Sequence, residues 1–280
     1  MRLEVTSPCK LNLFLYITGK RPDGYHNLET LFVILNHGDH MTFETCDYSD
    51  EVRLLTDFGF PVEKNLIYKA AKLLQKETGC CRGVNISIDK ILPQGGGLGG
   101  GSGNAATTLS VLNRLWELNL TEDKLIKLGA TLGADVPVFI KGTTCFARGI
   151  GEILEPVTVE DKYYLVATPN CSVPTKVLFA SDKLKKDSPS RSFAELMHTE
   201  FENCFTPVVV NEYPEVKELL DTLSEFGRAS MSGSGSSCFV AFDSYDHAKC
   251  AQKKIDALKI KSFIAKSVKQ SPVLAKLETI

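Results

Sequence analysis

Apolar and polar residues alternate over residues 10–17, 30–35, 41–45 and 52–56, with Gly, Pro or Asp between the runs. A period of two predicts a meander of four strands in the first sixty residues. From Asn65 the spacing changes to that of a helix, with Asn65 as its N-cap and Gly79 as its stop. Alternation returns at residues 84–89 and leads through Pro93 into a glycine tract, followed by a helix over about residues 102–117. A further helix is predicted from Thr121 to about Leu132, its hydroxyl cap followed by Glu122 and Asp123 at the positive end.

After Gly149-Ile150-Gly151 the pattern restarts with a strand at residues 163–167, a helix led by the capping box Ser192-x-x-Glu195 and a helix over residues 214–226. Strand 238–242, helix 245–258 and strand 262–268 close the chain. The class is α+β, and 280 residues at roughly 150 per domain suggest two domains, placed at 1–150 and 151–280.

Composition narrows the partners. With 32 Lys and Arg against 34 Asp and Glu the net charge is −2, so no global positive field exists to hold nucleic acid or an anionic membrane. The one long uncharged run, residues 91–113, carries seven glycines and is no membrane span. Glu4 follows the first residues without an apolar stretch, so neither export signal nor transit peptide is expected. The nine cysteines include a vicinal pair, Cys80-Cys81, but no C-x-x-C, which suits reduced thiols and a cytoplasmic location.

The glycine tract, Gly95-Gly96-Gly97-Leu98-Gly99-Gly100-Gly101-Ser102-Gly103, joins a predicted strand to a predicted helix. Residues without Cβ let backbone N–H groups approach a ligand, and the helix N-terminus adds free donors and partial positive charge. The pair makes an anion cradle, chiefly for phosphate; a flexible linker is the alternative. The spacing fits G-x-G-x-x-G only because nearly every position is glycine, and Thr121-Glu122-Asp123 starts a helix where a dinucleotide fold would close a second strand. No lysine follows Gly101, which excludes the P-loop. A second small-residue loop, Met231-Ser232-Gly233-Ser234-Gly235-Ser236-Ser237, also offers many backbone donors, or is a long hairpin.

Lys10 and Asn12 share one face of an apolar strand, and Asp135 stands among apolar residues just after a helix, a candidate base. The alternatives are an edge-strand lysine and an Asx turn before Pro137. Arg21-Pro22-Asp23-Gly24 forms a turn that presents Tyr25 and His26. His37-Gly38-Asp39-His40 reads as a surface turn rather than a zinc site.

Three segments together resemble the GHMP kinase superfamily: Ser7-Pro8-Cys9-Lys10-Leu11-Asn12-Leu13, Pro93-x-x-x-Gly97-Leu98-Gly99-Gly100-Gly101-Ser102-Gly103-Asn104, and residues 232–237. Lys10 to Leu13, Arg21 to His26 and Leu132 to Phe139 are most similar to the branch acting on cytidine diphosphate methylerythritol, and the resemblance covers nearly the whole chain. It implies an N-terminal domain like the second domain of ribosomal protein S5, a ferredoxin-like C-terminal domain and an active site between them. It implies ATP and Mg²⁺, phosphorylation of the substrate's 2-hydroxyl on the non-mevalonate route to isoprenoid precursors, and a monomer or weak homodimer. Carried over by motif, Asp135 takes the hydroxyl proton, Lys10 stabilises the developing charge and Asn12 positions the substrate. Tyr25 and Phe179 sandwich cytosine, His26 reads its edge, Thr175 lies near the diphosphate, and Gly233, Ser234 and Gly235 belong to the substrate side. Pro93, residues 95–103, Asn65 and Lys90 belong to the nucleotide. Cys9 replaces a small residue and Gly103 a serine common there, leaving hydroxyl contacts to Ser102. A thiol beside Lys10 is expected to have a lowered pKa.

Overall fold

The computed structural model describes residues 1–280. Strands β1 (Arg2–Lys20) and β2 (His26–Cys46) form one long antiparallel hairpin, closed by Pro22-Asp23-Gly24 with the Asp23 carboxylate accepting from Tyr25 N. On β2 are added β4 (Gly83–Asp89) and β5 (Cys145–Arg148), while β3 (Val52–Leu54) and β6 (Ile153–Pro156) form the edges of this sheet. The predicted meander is thus corrected. Residues 30–35 and 41–45 belong to a single strand, and β3 runs parallel to β4.

The supposed surface turn His37-Gly38-Asp39-His40 lies inside that strand. Gly38 is no turn residue; it faces Pro8 of β1, and a Cβ there would lie 1.8 Å from the Ser7 carbonyl oxygen. The glycine answers a close crossing of two strands. Register shifts on both sides of Lys10-Leu11-Asn12 give this short piece of β1 its own aim.

One face of the first sheet is covered by α1 (Leu66–Thr78), α2 (Gly100–Leu115), α3 (Glu122–Leu132) and α4 (Val136–Lys141). Local signals set their limits as expected: Asn65 Oδ1 accepts from Ile67 N, Gly79 is left-handed, and the Thr121 hydroxyl accepts from Lys124 N.

The second sheet is antiparallel, in the order β10 (Lys261–Lys266), β7 (Tyr163–Thr168), β9 (Cys238–Phe242), β8 (Ala229–Met231). Its core is closed by residues from α5 (Thr175–Ala180), α7 (Thr206–Glu212), α8 (Pro214–Ser224) and α9 (Tyr245–Ala257). The capping box at Ser192 starts α6 (Phe193–Met197). Residues 149–151 turn between β5 and β6, and the terminal helix α10 (Pro272–Leu277) places Val273 in the first core. Both β6 and α10 therefore pack with the sheet that precedes them, although they follow residue 151 in the chain.

A third core joins the two sheets through Cys9, Leu11, Val33 and Leu35 on one side and Tyr164, Val166, Phe239 and Ala265 on the other. Leu98, the only side chain in residues 95–101 beyond hydrogen, is 1% exposed in that core. Its burial is worth about 2 kcal/mol and pins the middle of the glycine tract between the sheets. No helix is long and apolar enough to cross a membrane.

Candidate active site

The three motifs, far apart in sequence, are joined by hydrogen bonds. Lys10 N donates to Leu98 O at 3.0 Å, the Ser232 hydroxyl to Gly97 O at 2.9 Å, and Ser237 N to Gly96 O at 3.1 Å. Asn12 N donates to the Ser232 hydroxyl at 3.2 Å. Gly97 has φ +76°, and a Cβ on it would meet Ser232 O at 2.1 Å, so only glycine passes here. The tract is consequently a braced loop whose end runs into α2, with Gly99 left-handed at its cap.

Two clefts share Gly95, Gly97, Gly99 and Ser102. The first is lined by Pro93, the tract from Gly95 to Ser102, Asn65 and Lys90, all anticipated from the sequence. Asn65 is both cap and cleft residue. Gly103 is not in the lining; it lies inside α2 against Pro8, where a side chain would run into the Pro8 carbonyl. Phe58, Phe60 and Leu66 were missed by the sequence reading and form an apolar wall. The only signal was the aromatic-glycine run Phe58-Gly59-Phe60.

The second cleft, of about 720 Å³, brings together Lys10, Asn12, Tyr25, His26, Asp135, Thr175, Phe179, Gly233 and Ser234. Gly235 lies outside this lining, packed on Met231. Thr175 and Ser234 join their hydroxyls at 2.8 Å. Lys176, Phe205 and Ile150 complete walls that periodicity gave no reason to select.

Lys10 is 3% exposed, and its ammonium donates to Asn12 Oδ1 at 2.5 Å and Gly97 O at 2.9 Å while lying 3.4 Å from Asp135 Oδ2. Asn12 Nδ2 continues the chain to the Thr30 hydroxyl, which donates to Phe14 O. Asp135 occupies the N-cap position of α4, yet its carboxylate makes no capping bond and is 34% exposed toward the cleft. The carboxylate is free to take a proton from a bound group, and the ammonium beside it favours negative charge on that group.

At the far end of this cleft, His26 stacks on Phe179 with ring centroids 5.0 Å apart and an interplanar angle of 19°, and Phe179 meets Phe205 edge-on. Tyr25 is 60% exposed. The expected arrangement had Tyr25 and Phe179 on either side of a base with His26 at its edge; here His26 itself covers the Phe179 face. Its pKa is lowered from the ordinary 6.5 by burial first, then by Lys186 and Lys20, so the imidazole is neutral at pH 7.

Asp39 is the buried polar anchor beside the site that the sequence pattern did not reveal. Fully buried on β2, its carboxylate accepts from Lys90 Nζ at 2.5 Å, from Ile91 N and Leu92 N at 2.9 Å each, and from Asn104 Nδ2 at 3.0 Å. It ties the strand, the start of the glycine tract and α2 to one point. A charged residue amid strand alternation was the available signal, hidden by the Gly38 beside it. His37 stacks on Phe263 and His40 pairs with the Thr6 hydroxyl, so the three polar side chains of this segment face different partners.

The expectation for Cys9 is corrected. Burial, opposed only weakly by Lys10, pushes its thiol up to about 12. In native protein at pH 8, a thiol reagent should modify the exposed Cys81 and Cys250 while Cys9 stays unmodified with or without nucleotide, as mass mapping will show. Labelling of Cys9 before unfolding would contradict this packing.

Residues 65–143 match the model of the GHMP kinases N terminal domain, and residues 184–260 that of the GHMP kinases C terminal region. Among solved structures, a 4-(cytidine 5'-diphospho)-2C-methyl-D-erythritol kinase superposes with a TM-score of 0.81 at 31% identity, over 94% of this chain and 98% of that one. Methanococcus jannaschii mevalonate kinase superposes at 0.68 with 16% identity, covering 96% and 98% of the two chains. The homoserine kinase of Cytophaga hutchinsonii does so at 0.66 with 18% identity, covering 97% and 96%.

Proposed function

This chain belongs to the GHMP kinases, and from that premise we propose that it transfers the γ-phosphoryl group of ATP to the 2-hydroxyl of 4-diphosphocytidyl-2-C-methyl-D-erythritol. The observation that carries the reading is the meeting of two clefts at Gly95, Gly97, Gly99 and Ser102, with the Lys10–Asp135 pair at the junction and aromatic rings at the far end of one. The 31% identity to a kinase of that name supports the choice of substrate over base-free alcohols.

In this reading Asp135 accepts the hydroxyl proton as the alcohol oxygen bonds to the γ-phosphorus. The bond to the β–γ bridging oxygen breaks, and ADP leaves with its electron pair. Lys10 lowers the cost of charge on the attacking oxygen, and Asn12, held by Thr30 and by the Ser232 hydroxyl, fixes the alcohol. The amides at the start of α2 receive phosphate oxygens, with Phe58, Phe60 and Leu66 against the nucleotide's apolar part. Ser102 lines both clefts and, together with phosphate oxygens, suits Mg²⁺, which when bound neutralises phosphate charge.

The deciding experiment measures ADP release from MgATP with the cytidyl substrate, mevalonate, homoserine and galactose in separate assays. Turnover confined to the first is expected. Turnover of another alcohol would remove the cytosine assignment, and silence with all four despite ATP binding would favour a nucleotide-binding regulator.

Stacking on a base is worth about 1–3 kcal/mol, so Tyr25→Ala, at the ring left uncovered, should raise KM for the cytidyl substrate about tenfold or more while kcat changes little. A neutral His26 keeps one acceptor nitrogen. Because its pKa is lowered below 6.5, KM should be flat above that pH and rise as pH falls below it, and the rise should vanish in His26→Gln. The same depression makes protonation favour the unfolded chain, so His26 also contributes a loss of stability on acidification, beginning below 6.5.

A further inference from the structure

A separate cavity of about 530 Å³ lies on the C-terminal side of the molecule, lined by Lys185, Arg191 and Arg228 against a single carboxylate, Glu202. Arg191 makes no ion pair with the protein, and Arg228 makes only a long one. Arg191 has its guanidinium 4.3 Å from the Tyr16 ring centroid, and its backbone N donates to the buried Glu29 carboxylate, which also accepts from the Ser190 hydroxyl. Arg191 Nε is shielded from water and has no acceptor. Arg228 donates to Phe201 O, and its one carboxylate neighbour, Glu200, is 3.7 Å away and almost wholly exposed. Two guanidinium forks and an ammonium around one cavity suit the several oxygens of a phosphate or diphosphate group.

The wall of this cavity is also the wall of the substrate cleft. Asn203, in the cavity lining, donates to Met231 O at 2.8 Å and to Gly233 O at 2.7 Å, and Gly233 faces the substrate cleft. Glu202 O accepts from Leu15 N, and Leu15 O from Cys204 N, so the cavity segment brackets another residue of that cleft. Glu29, which anchors Arg191, precedes Thr30, the partner of Asn12.

We propose that this cavity is a second anion site, taking the phosphate or diphosphate of a small organic molecule, and that its occupancy alters affinity for the alcohol substrate through residues 202–204 and the 231–233 loop. Coupling of this kind is reciprocal, so substrate must shift anion affinity by the same factor.

Inorganic pyrophosphate is the probe. Calorimetry on the full chain, with a non-hydrolysable ATP analogue filling the glycine loop, should show a site that depends on Arg191 and Arg228, distinct from any binding at the Thr175 end of the substrate cleft, which substitution of the two arginines leaves unchanged. Arg191→Gln or Arg228→Gln should raise the Kd of the arginine site about tenfold or more, as expected for losing a charge-assisted bond, with Tm lowered by a few degrees at most for the lost contacts to Tyr16 and Phe201 O. Lys185→Gln, at an exposed position, serves if the arginine variants are unstable. Pyrophosphate should also shift KM for the alcohol in the wild type and not in Arg191→Gln. No second site, or one indifferent to these substitutions, overturns the site; binding without any change in KM overturns the coupling. The calorimetric arm stands without the kinase reading and the KM arm rests on it, so the two failures are distinguishable.

Discussion

Asp135→Asn should lower kcat by about a thousandfold, the middle of the range for removing a general base, while KM for ATP changes little. The substitution keeps the size and most of the shape of the side chain and removes the group that takes the proton. It should not disturb the fold. Asp135 makes no capping bond, and Lys10 retains Asn12 Oδ1 and Gly97 O when the carboxylate is gone. Asp135 is 34% exposed, Asn keeps an oxygen beside the ammonium, and Lys10 keeps its two hydrogen bonds, so Tm should stay within a few degrees. Steady-state kinetics beside a thermal melt separate the two effects. Turnover within tenfold of the wild type would mean that the proton leaves by another route, and Asp135 would then be only a neighbour of Lys10.

The largest effect on stability is expected from Asp39→Ala, about 3–5 kcal/mol, the cost of breaking a buried, hydrogen-bonded charge pair from one side. The change strands the Lys90 ammonium, the amides of Ile91 and Leu92 and the Asn104 side-chain amide, all of which now end on one carboxylate. Asp39→Asn keeps an acceptor oxygen and should cost less, about 1–3 kcal/mol. Urea unfolding of both variants tests the order. Since the same carboxylate orients Lys90 and the start of the glycine tract, ATP affinity should fall with stability in Asp39→Ala. Full ATP affinity in a destabilised protein would limit Asp39 to the core.

What was legible in the sequence follows the range of the forces involved. Helix limits at Asn65, Gly79, Thr121 and Ser192 came out as read, because capping bonds join residues two or three apart. The order of strand, glycine tract and helix was readable for the same reason, since the three are consecutive. The segment around Gly38 was misread because its glycine answers a contact with Ser7 on another strand, and a local rule sees only a turn former.

Taken alone, the sequence determined the α+β class, most helix limits, the braced loop's composition and the choice of Lys10, Asn12 and Asp135 as the polar residues to watch. Only the tertiary structure decided that Lys10 and Asp135 lie 3.4 Å apart, that Ser232 hydrogen-bonds to Gly97, that Asp39 is a buried anchor and that burial raises the Cys9 thiol pKa. Each of these depends on which strands cross and which surfaces lose water. Those outcomes are set by packing between segments distant in sequence, 135 residues apart for Gly97 and Ser232, and no local pattern encodes them.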